Sequence, residues 1–404
     1  MNKSDINFAE PSKHQLDTLQ RHFQTGQYFE AEKLSLSITQ EFPEYQFAWK
    51  MLAVLFMRAG KINEALTVIK KSVDLKPQDS EAHFNLAIIL QKLEKLNEAV
   101  TSYREAITLK PNYAEAYCNM GVILQKLGKS YDAQTSYRKA IELKTDYANA
   151  YNNLGASLQE IGKLNEAKEN FKKAISLKID YAEAYNNLAV TLKELERLED
   201  AELNFRKAIA IKNDYVEAYN NLAVTLKELE RLEDAELNFR KAIAIKNDYV
   251  EAYNNLGNLL YEKGDILNSI DCFKKVIKLN PNYIPTWLNL FHPLQVCRAQ
   301  NLSKEDYSLL FDVDISSKYT QITKSILNYR LKRGSLCSDG SLKKVLNIFA
   351  SDESTFIKNT NTPSSELTKI ALPKKITALL HFGRSGTGLL HSLIDNHPEV
   401  STLP

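Results

Sequence analysis

The chain has 404 residues, 44% of them hydrophobic, enough for more than one core. Its 52 basic and 50 acidic residues nearly cancel, so bulk charge offers no attraction to nucleic acid or to an anionic membrane surface. Four cysteines, Cys118, Cys272, Cys297 and Cys337, lack C-x-x-C spacing, which argues against a zinc site or a disulfide framework and for reduced thiols.

The N-terminal stretch MNKSDINFAEPSKHQ has no apolar core of a signal peptide, and the apolar run at residues 51–57 is far too short to span a bilayer. The expectation is a cytoplasmic chain with neither membrane nor nucleic acid as partner. Residues 1–11 are polar and are expected to be loose. Residues 12–45 read as a degenerate helix pair that keeps Gly26 and Ala31, the divergence that a cap needs because one of its faces meets water.

Everything after that repeats. Residues 183–222 recur letter for letter at 217–256, shifted by 34 residues, as a duplication that has not yet drifted would. A fixed period of this length means stacked supersecondary repeats. Within one copy the apolar residues fall at helical spacing in two runs, Tyr185 to Leu192 and Leu198 to Ile209, so each copy reads as two antiparallel helices. Seven such repeats fill residues 46–283, beginning at Gln46, Ser80, Ala114, Ala148, Ala182, Val216 and Val250, and a closing helix is expected over 284–300.

Counted within each repeat, the fourth position is aromatic at Trp49, Tyr117, Tyr151, Tyr185, Tyr219 and Tyr253, with His83 departing from the pattern. The eighth is small (Ala53, Ala87, Gly121, Gly155, Ala189, Ala223, Gly257). The twentieth is alanine from Ala65 to Ala235, with Ser269 as the exception. Small residues at these two places suit a close crossing of the paired helices. This pattern resembles a tetratricopeptide repeat (TPR) array, which implies an all-α fold, a right-handed superhelical solenoid. Gly60, Gly128, Gly162 and Gly264 are expected at the turns within repeats, replaced by Glu94, Glu196 and Glu230. Proline between repeats survives at Pro43, Pro77, Pro111 and Pro281 and gives way to Thr145, Ile179, Asn213 and Asn247, a change expected to loosen those turns. The spacing of Asp180 and Glu183, Asp214 and Glu217, and Asp248 and Glu251 predicts capping boxes.

Asparagine recurs at the sixth position: Asn85, Asn119, Asn153, Asn187, Asn221 and Asn255, then Asn289. It is a poor residue inside a helix, so the repetition asks for a reason. In the TPR arrays of protein glycosyltransferases, which the ladder resembles, this position lines a concave surface and holds the backbone of an extended peptide. The structural alternative is an amide ladder that only bridges neighbouring repeats. The seven histidines share no helical face with a carboxylate, and neither a metal site nor a catalytic residue is expected.

Residues 301–372 lose the period and read as a helical connector with a polar linker. At residues 373–404 a short apolar run, ITALLHF, leads into Gly383-Arg384-Ser385-Gly386-Thr387-Gly388 and a second apolar-periodic segment. Strand, glycine-rich loop and helix together aim backbone N–H groups at a phosphate. The motif lacks the G-K-[ST] of a Walker A loop and the G-x-G-x-x-G of a dinucleotide fold. It is similar to the 5′-phosphosulfate loop of sulfotransferases that use 3′-phosphoadenylyl sulfate (PAPS). That resemblance implies that Arg384, Ser385, Gly386, Thr387 and Gly388 hold the donor, in a short truncated α/β segment at the start of a sulfotransferase-like domain, with PAPS expected as cofactor only where that domain is complete. The function expected on this basis is a TPR scaffold forming the acceptor-recruiting half of a sulfotransferase. The alternatives are a pure protein-binding module, or the recruiting half of an O-linked glycosyltransferase.

Overall fold

The structure, a computed structural model, describes residues 10–299. Every regular element among them is an α-helix. In chain order these are α1 (Lys13–Gln24), α2 (Tyr28–Glu41), α3 (Gln46–Arg58), α4 (Ile62–Leu75), α5 (Ser80–Lys92), α6 (Leu96–Leu109), α7 (Ala114–Lys126), α8 (Ser130–Leu143) and α9 (Ala148–Glu160). They continue as α10 (Leu164–Leu177), α11 (Ala182–Glu194), α12 (Leu198–Ile211), α13 (Val216–Glu228), α14 (Leu232–Ile245), α15 (Val250–Glu262), α16 (Ile266–Leu279) and α17 (Ile284–Ala299). The chain divides into two blocks, Met1–Lys212 and Asn213–Pro404.

Within each pair the two helices pack along each other, and inside each block a pair then packs on the next. What seats them is a large side chain at the twenty-fourth position of the repeat. Tyr103, Tyr137, Phe171, Phe205, Phe239 and Phe273 are all fully buried. Each buried phenylalanine ring stabilises the fold by roughly 2–3 kcal/mol relative to exposure. The small eighth residue exists for this ring. A Cβ on Gly155 would stand 2.7 Å from the Phe171 ring, and one on Gly121 would stand 2.6 Å from the Tyr137 ring. The sequence pattern reads as a close helix crossing, and the structure adds that the eighth position is shaped by a ring rather than by backbone alone. Alanine at the twentieth position, from Ala65 to Ala235, is buried without exception.

The turns within repeats need left-handed backbone. Gly128 and Gly162 adopt φ of 72° and 76°, and Glu94, Glu196 and Glu230 take the same conformation at 56°, 60° and 61° despite their Cβ. The turns between repeats keep their form without proline. Tyr147 N–H donates to the Lys144 carbonyl at 3.2 Å, as Tyr113 does to Lys110 at 3.1 Å where Pro111 is retained. Lys110 lies 4.3 Å from the Tyr113 ring centroid and Lys144 lies 5.1 Å from that of Tyr147. This cation–π contact is supplied by the repeat itself, and the turn does not depend on proline.

The capping boxes are a correction. Helices α11, α13 and α15 begin one residue after Tyr181, Tyr215 and Tyr249, and none of these side chains makes the capping hydrogen bond to the first turn. The aspartates precede the cap by one residue, so their carboxylates miss the first-turn N–H groups. Where an acid does stand at the cap it works: Asp79 accepts from Glu81 N and Ala82 N at the start of α5. Ser12 and Gln15 form a capping box on α1. His83 is a smaller departure than the sequence suggests. Its Nε2 lies 2.9 Å from the Pro77 carbonyl, the bond that Trp49 makes to Pro43 at 2.8 Å and Trp287 to Pro281 at 2.9 Å.

Two outcomes follow for stability. Ala201→Leu has no space beside its partner helix and should lower stability by about 1–3 kcal/mol in urea unfolding; no change would contradict this packing. Glu196→Gly relieves a left-handed residue and should raise the urea midpoint, by up to about 1 kcal/mol in stability. A drop would mean that the glutamate side chain holds the turn.

Candidate functional site

In each block the first helices of successive pairs touch directly: α3 with α5, α7 with α9 and α9 with α11 in the first, α13 with α15 and α15 with α17 in the second. Among the described residues no two second helices meet as closely. The first helices therefore form the inner side of each stack. On several of them one face is left open along the whole helix. On α9, Ala150, Asn152, Leu154, Gly155, Ser157 and Leu158 are buried, while Asn149, Asn153, Ala156 and Glu160 stay half-buried or exposed at helical spacing. The same second, sixth, ninth and thirteenth positions give Glu183, Asn187, Val190 and Glu194 on α11, and Glu251, Asn255, Asn258 and Glu262 on α15.

The sixth-position asparagines are all half-buried on this face, and several bridge to the helix before. Asn187 Nδ2 donates to Asn152 Oδ1 at 3.1 Å in the first block. In the second block Asn255 donates to Asn220 at 3.1 Å and Asn289 to Asn254 at 3.2 Å. The acceptor is the fifth residue of the preceding repeat, buried in every case, and the sequence reading passed over it. The signal was present: repeats that carry the bridge read Asn-Asn, and two adjacent amides at one place are hard to bury singly. Asn186, the fifth residue of α11, has a buried carbonyl oxygen with no hydrogen-bond partner.

Earlier repeats carry other residues at the fifth position, and the bridge changes accordingly. Asn153 Nδ2 reaches Cys118 Sγ, a weak acceptor, at 3.7 Å. Asn119 follows Phe84, which offers no acceptor, and the nearby buried Tyr103 hydroxyl donates to Gln91 Oε1 at 3.4 Å. Asn85 follows Lys50, which is a donor only. The Lys50 ammonium is held by Asp79 at 2.9 Å and Glu81 at 2.8 Å, and Gln46 donates to the same Asp79 oxygen at 2.8 Å. Burial works to raise the Asp79 carboxyl, but its bonds to Lys50, Gln46 and the Ala82 N–H outweigh it and hold the group below the usual aspartate value. A carboxyl lowered on folding contributes stability above its unfolded pKa and loses it as pH falls through the folded one.

Burial pushes the Cys118 thiol up and the Cys272 thiol to about 11, so neither is a ready thiolate at neutral pH. No group of three or more His, Cys, Asp or Glu side chains among the described residues could hold a metal ion. No helix there is long and apolar enough to cross a membrane. Arg384, Ser385, Gly386, Thr387 and Gly388, with the connector before them, lie outside the described residues.

Sequence models of known families now bear on the helix pairs. A TPR repeat model matches residues 92–128 and 225–264, and tetratricopeptide repeat models match 112–180, 146–214 and 250–283. The chain carries tetratricopeptide repeats. Among solved structures it is similar to a chain of the APC/C hetero-tetramer Cut9–Hcn1, at 16% identity and a TM-score of 0.53, covering 72% of this chain and 57% of that one. That likeness supports the fold of the TPR array. PilW, a type IV pilus biogenesis factor, matches at 23% identity and a TM-score of 0.48, covering 53% of this chain and 98% of its own. PilF from Pseudomonas aeruginosa matches at 19% identity and a TM-score of 0.47, covering 56% and 100%. No curated protein matches the chain in sequence.

Two variants separate the asparagines that bridge repeats from those that do not. Asn187→Ala leaves the buried Asn152 carbonyl without its donor and should cost about 1–3 kcal/mol in thermal or urea unfolding. Asn85→Ala should stay within about 0.5 kcal/mol of the parent. Equal effects would show that the bridges do not organise the stack. The Asp79→Asn variant should flatten the loss of stability on acidification relative to the parent, and an unchanged acid limb would remove Asp79 from that transition.

Proposed function

We propose that this TPR array is a protein-interaction scaffold that holds an extended polypeptide along the inner faces of its first helices, with the sixth-position asparagines as backbone contacts. TPR arrays mediate protein or peptide binding, and the observation that supports the reading here is the state of the asparagine amides. A bridge such as Asn187 to Asn152 uses one amide hydrogen and faces the rest of a half-buried side chain toward solvent. An amide fixed by one bond loses little further freedom on meeting a peptide, which favours binding. Peptide backbone presents a matching donor and acceptor whatever its sequence. The bridge and the peptide contact are therefore compatible roles for one residue.

The glycine-rich loop at residues 383–388 supports a second, separable part of the proposal, that the chain grips the phosphosulfate of PAPS through Arg384, Ser385 and Thr387. Equilibrium dialysis of the full chain against PAPS, with Arg384→Ala as control, tests it. Identical binding by both proteins, or none by either, would remove that part and leave the scaffold reading standing.

For the scaffold, the decisive variants are Asn85→Ala and Asn119→Ala, whose amides bridge no pair of asparagines. Together they should weaken capture of an extended peptide severalfold while circular dichroism stays helical. Unchanged capture by a folded double variant would take the asparagine row out of recognition.

A further inference from the structure

The thirteenth position closes the inner face at the C-terminal end of each first helix, and in the first block its charge changes sign. It is Lys92 on α5 and Lys126 on α7, then Glu160 on α9 and Glu194 on α11, all four exposed. The opposite edge, at the second position, shows no such reversal, and two of its charges are in ion pairs. Glu81 pairs with Lys50 at 2.8 Å, and Glu115 lies 3.6 Å from Lys144. The thirteenth-position charges are less committed. Glu194 accepts from the neutral Gln159 at 2.9 Å, and Lys126 meets the Glu94 carboxylate only at 4.0 Å. Between the two edges run the sixth-position asparagines and a ninth position that stays small or aliphatic: Ile88, Val122, Ala156 and Val190.

The spacing of this track decides what can lie on it. Packed helices stand roughly 8–10 Å apart. An extended chain advances about 3.3 Å per residue and a polyproline II chain about 3.1 Å. One rung therefore corresponds to about three residues. A polyproline II segment returns its side chains to the same side every three residues. A flat β-strand alternates every two and falls out of register with the rungs.

We infer that the inner face of the first block is a directional track for an extended, polyproline II-like segment whose charge reverses along its length, acidic opposite Lys92 and Lys126 and basic opposite Glu160 and Glu194. This rests on the scaffold reading above and adds to it the chemistry and the orientation of the partner. The asparagines hold backbone in either direction. The sign change breaks that symmetry, because a segment laid down backwards puts like charges together on every rung, and such repulsion fixes register and excludes wrong partners.

The test uses the full chain and three synthetic peptides of about a dozen residues, one rung for every three residues. One carries Asp at every third position in its N-terminal half and Lys in its C-terminal half, the second has the same residues with Asp and Lys alternating, and the third has Ser at all those positions. Affinities are read by fluorescence anisotropy at low and high salt. The parent should prefer the segregated peptide over the alternating one, which matches in neither direction, by about tenfold, since exposed pairs are individually modest, and added salt should shrink the difference. A variant with the two middle charges exchanged, Lys126→Glu and Glu160→Lys, presents alternating charges and should invert the preference. Should that variant fail to fold, the single Lys126→Glu change should narrow the preference. If the parent binds all three peptides equally, the directional track is overturned and the scaffold reading survives. If it binds none of them, both are overturned.

Discussion

A buried ring seated against a residue that must be small is the constraint on which the rest of this structure depends. Phe171 under Gly155 and Phe273 under Gly257 fix how the two helices of a repeat lie together. That in turn fixes which face of the first helix remains open. Because the same seat recurs every 34 residues, the open face recurs too, and any chemistry written at the second, sixth, ninth and thirteenth positions becomes a row. The rows are therefore a consequence of packing, and their composition can change without disturbing the core.

The asparagine row shows how this separation works. In the later repeats an Asn-Asn pair lets one amide reach back to the helix before, tying repeat to repeat by a hydrogen bond in addition to apolar contact. In the earlier repeats Lys50, Phe84 and Cys118 stand where the acceptor would be, and the sixth-position asparagine persists regardless. A residue kept where its structural partner is missing calls for another use. Contact with an extended chain is the use that the exposed part of the amide can serve. An ion pair at Lys50 and Asp79 replaces the amide bridge at the first of these joints.

The helical repeat was legible because it is a property of period and size. Alanine at the twentieth position and glycine in the turns report directly on steric and backbone limits that a single chain states openly. The misread features were those that turn on one residue of register. Asp180 and Glu183 have capping-box spacing, yet Tyr181 occupies the cap, and a shift of one residue carries the carboxylate out of reach. The fifth-position acceptors went unremarked because a buried amide and an exposed one look alike until the helix face is known. The same holds for the eighth position, where smallness is visible in the sequence but the ring that demands it is not. The glycine-rich loop at residues 383–388 is read from its motif alone.

The central claim is that asparagine amides on the inner face meet the backbone of an extended peptide while their buried neighbours serve the fold. Side-chain amide resonances report this directly by NMR, with the full chain labelled on asparagine nitrogen and titrated with the favoured charged peptide. The account predicts that the Asn85, Asn119, Asn153 and Asn187 amide signals shift with a common binding curve, whereas that of the buried Asn152 stays in place. Binding of the peptide with the four sixth-position signals unmoved would contradict it.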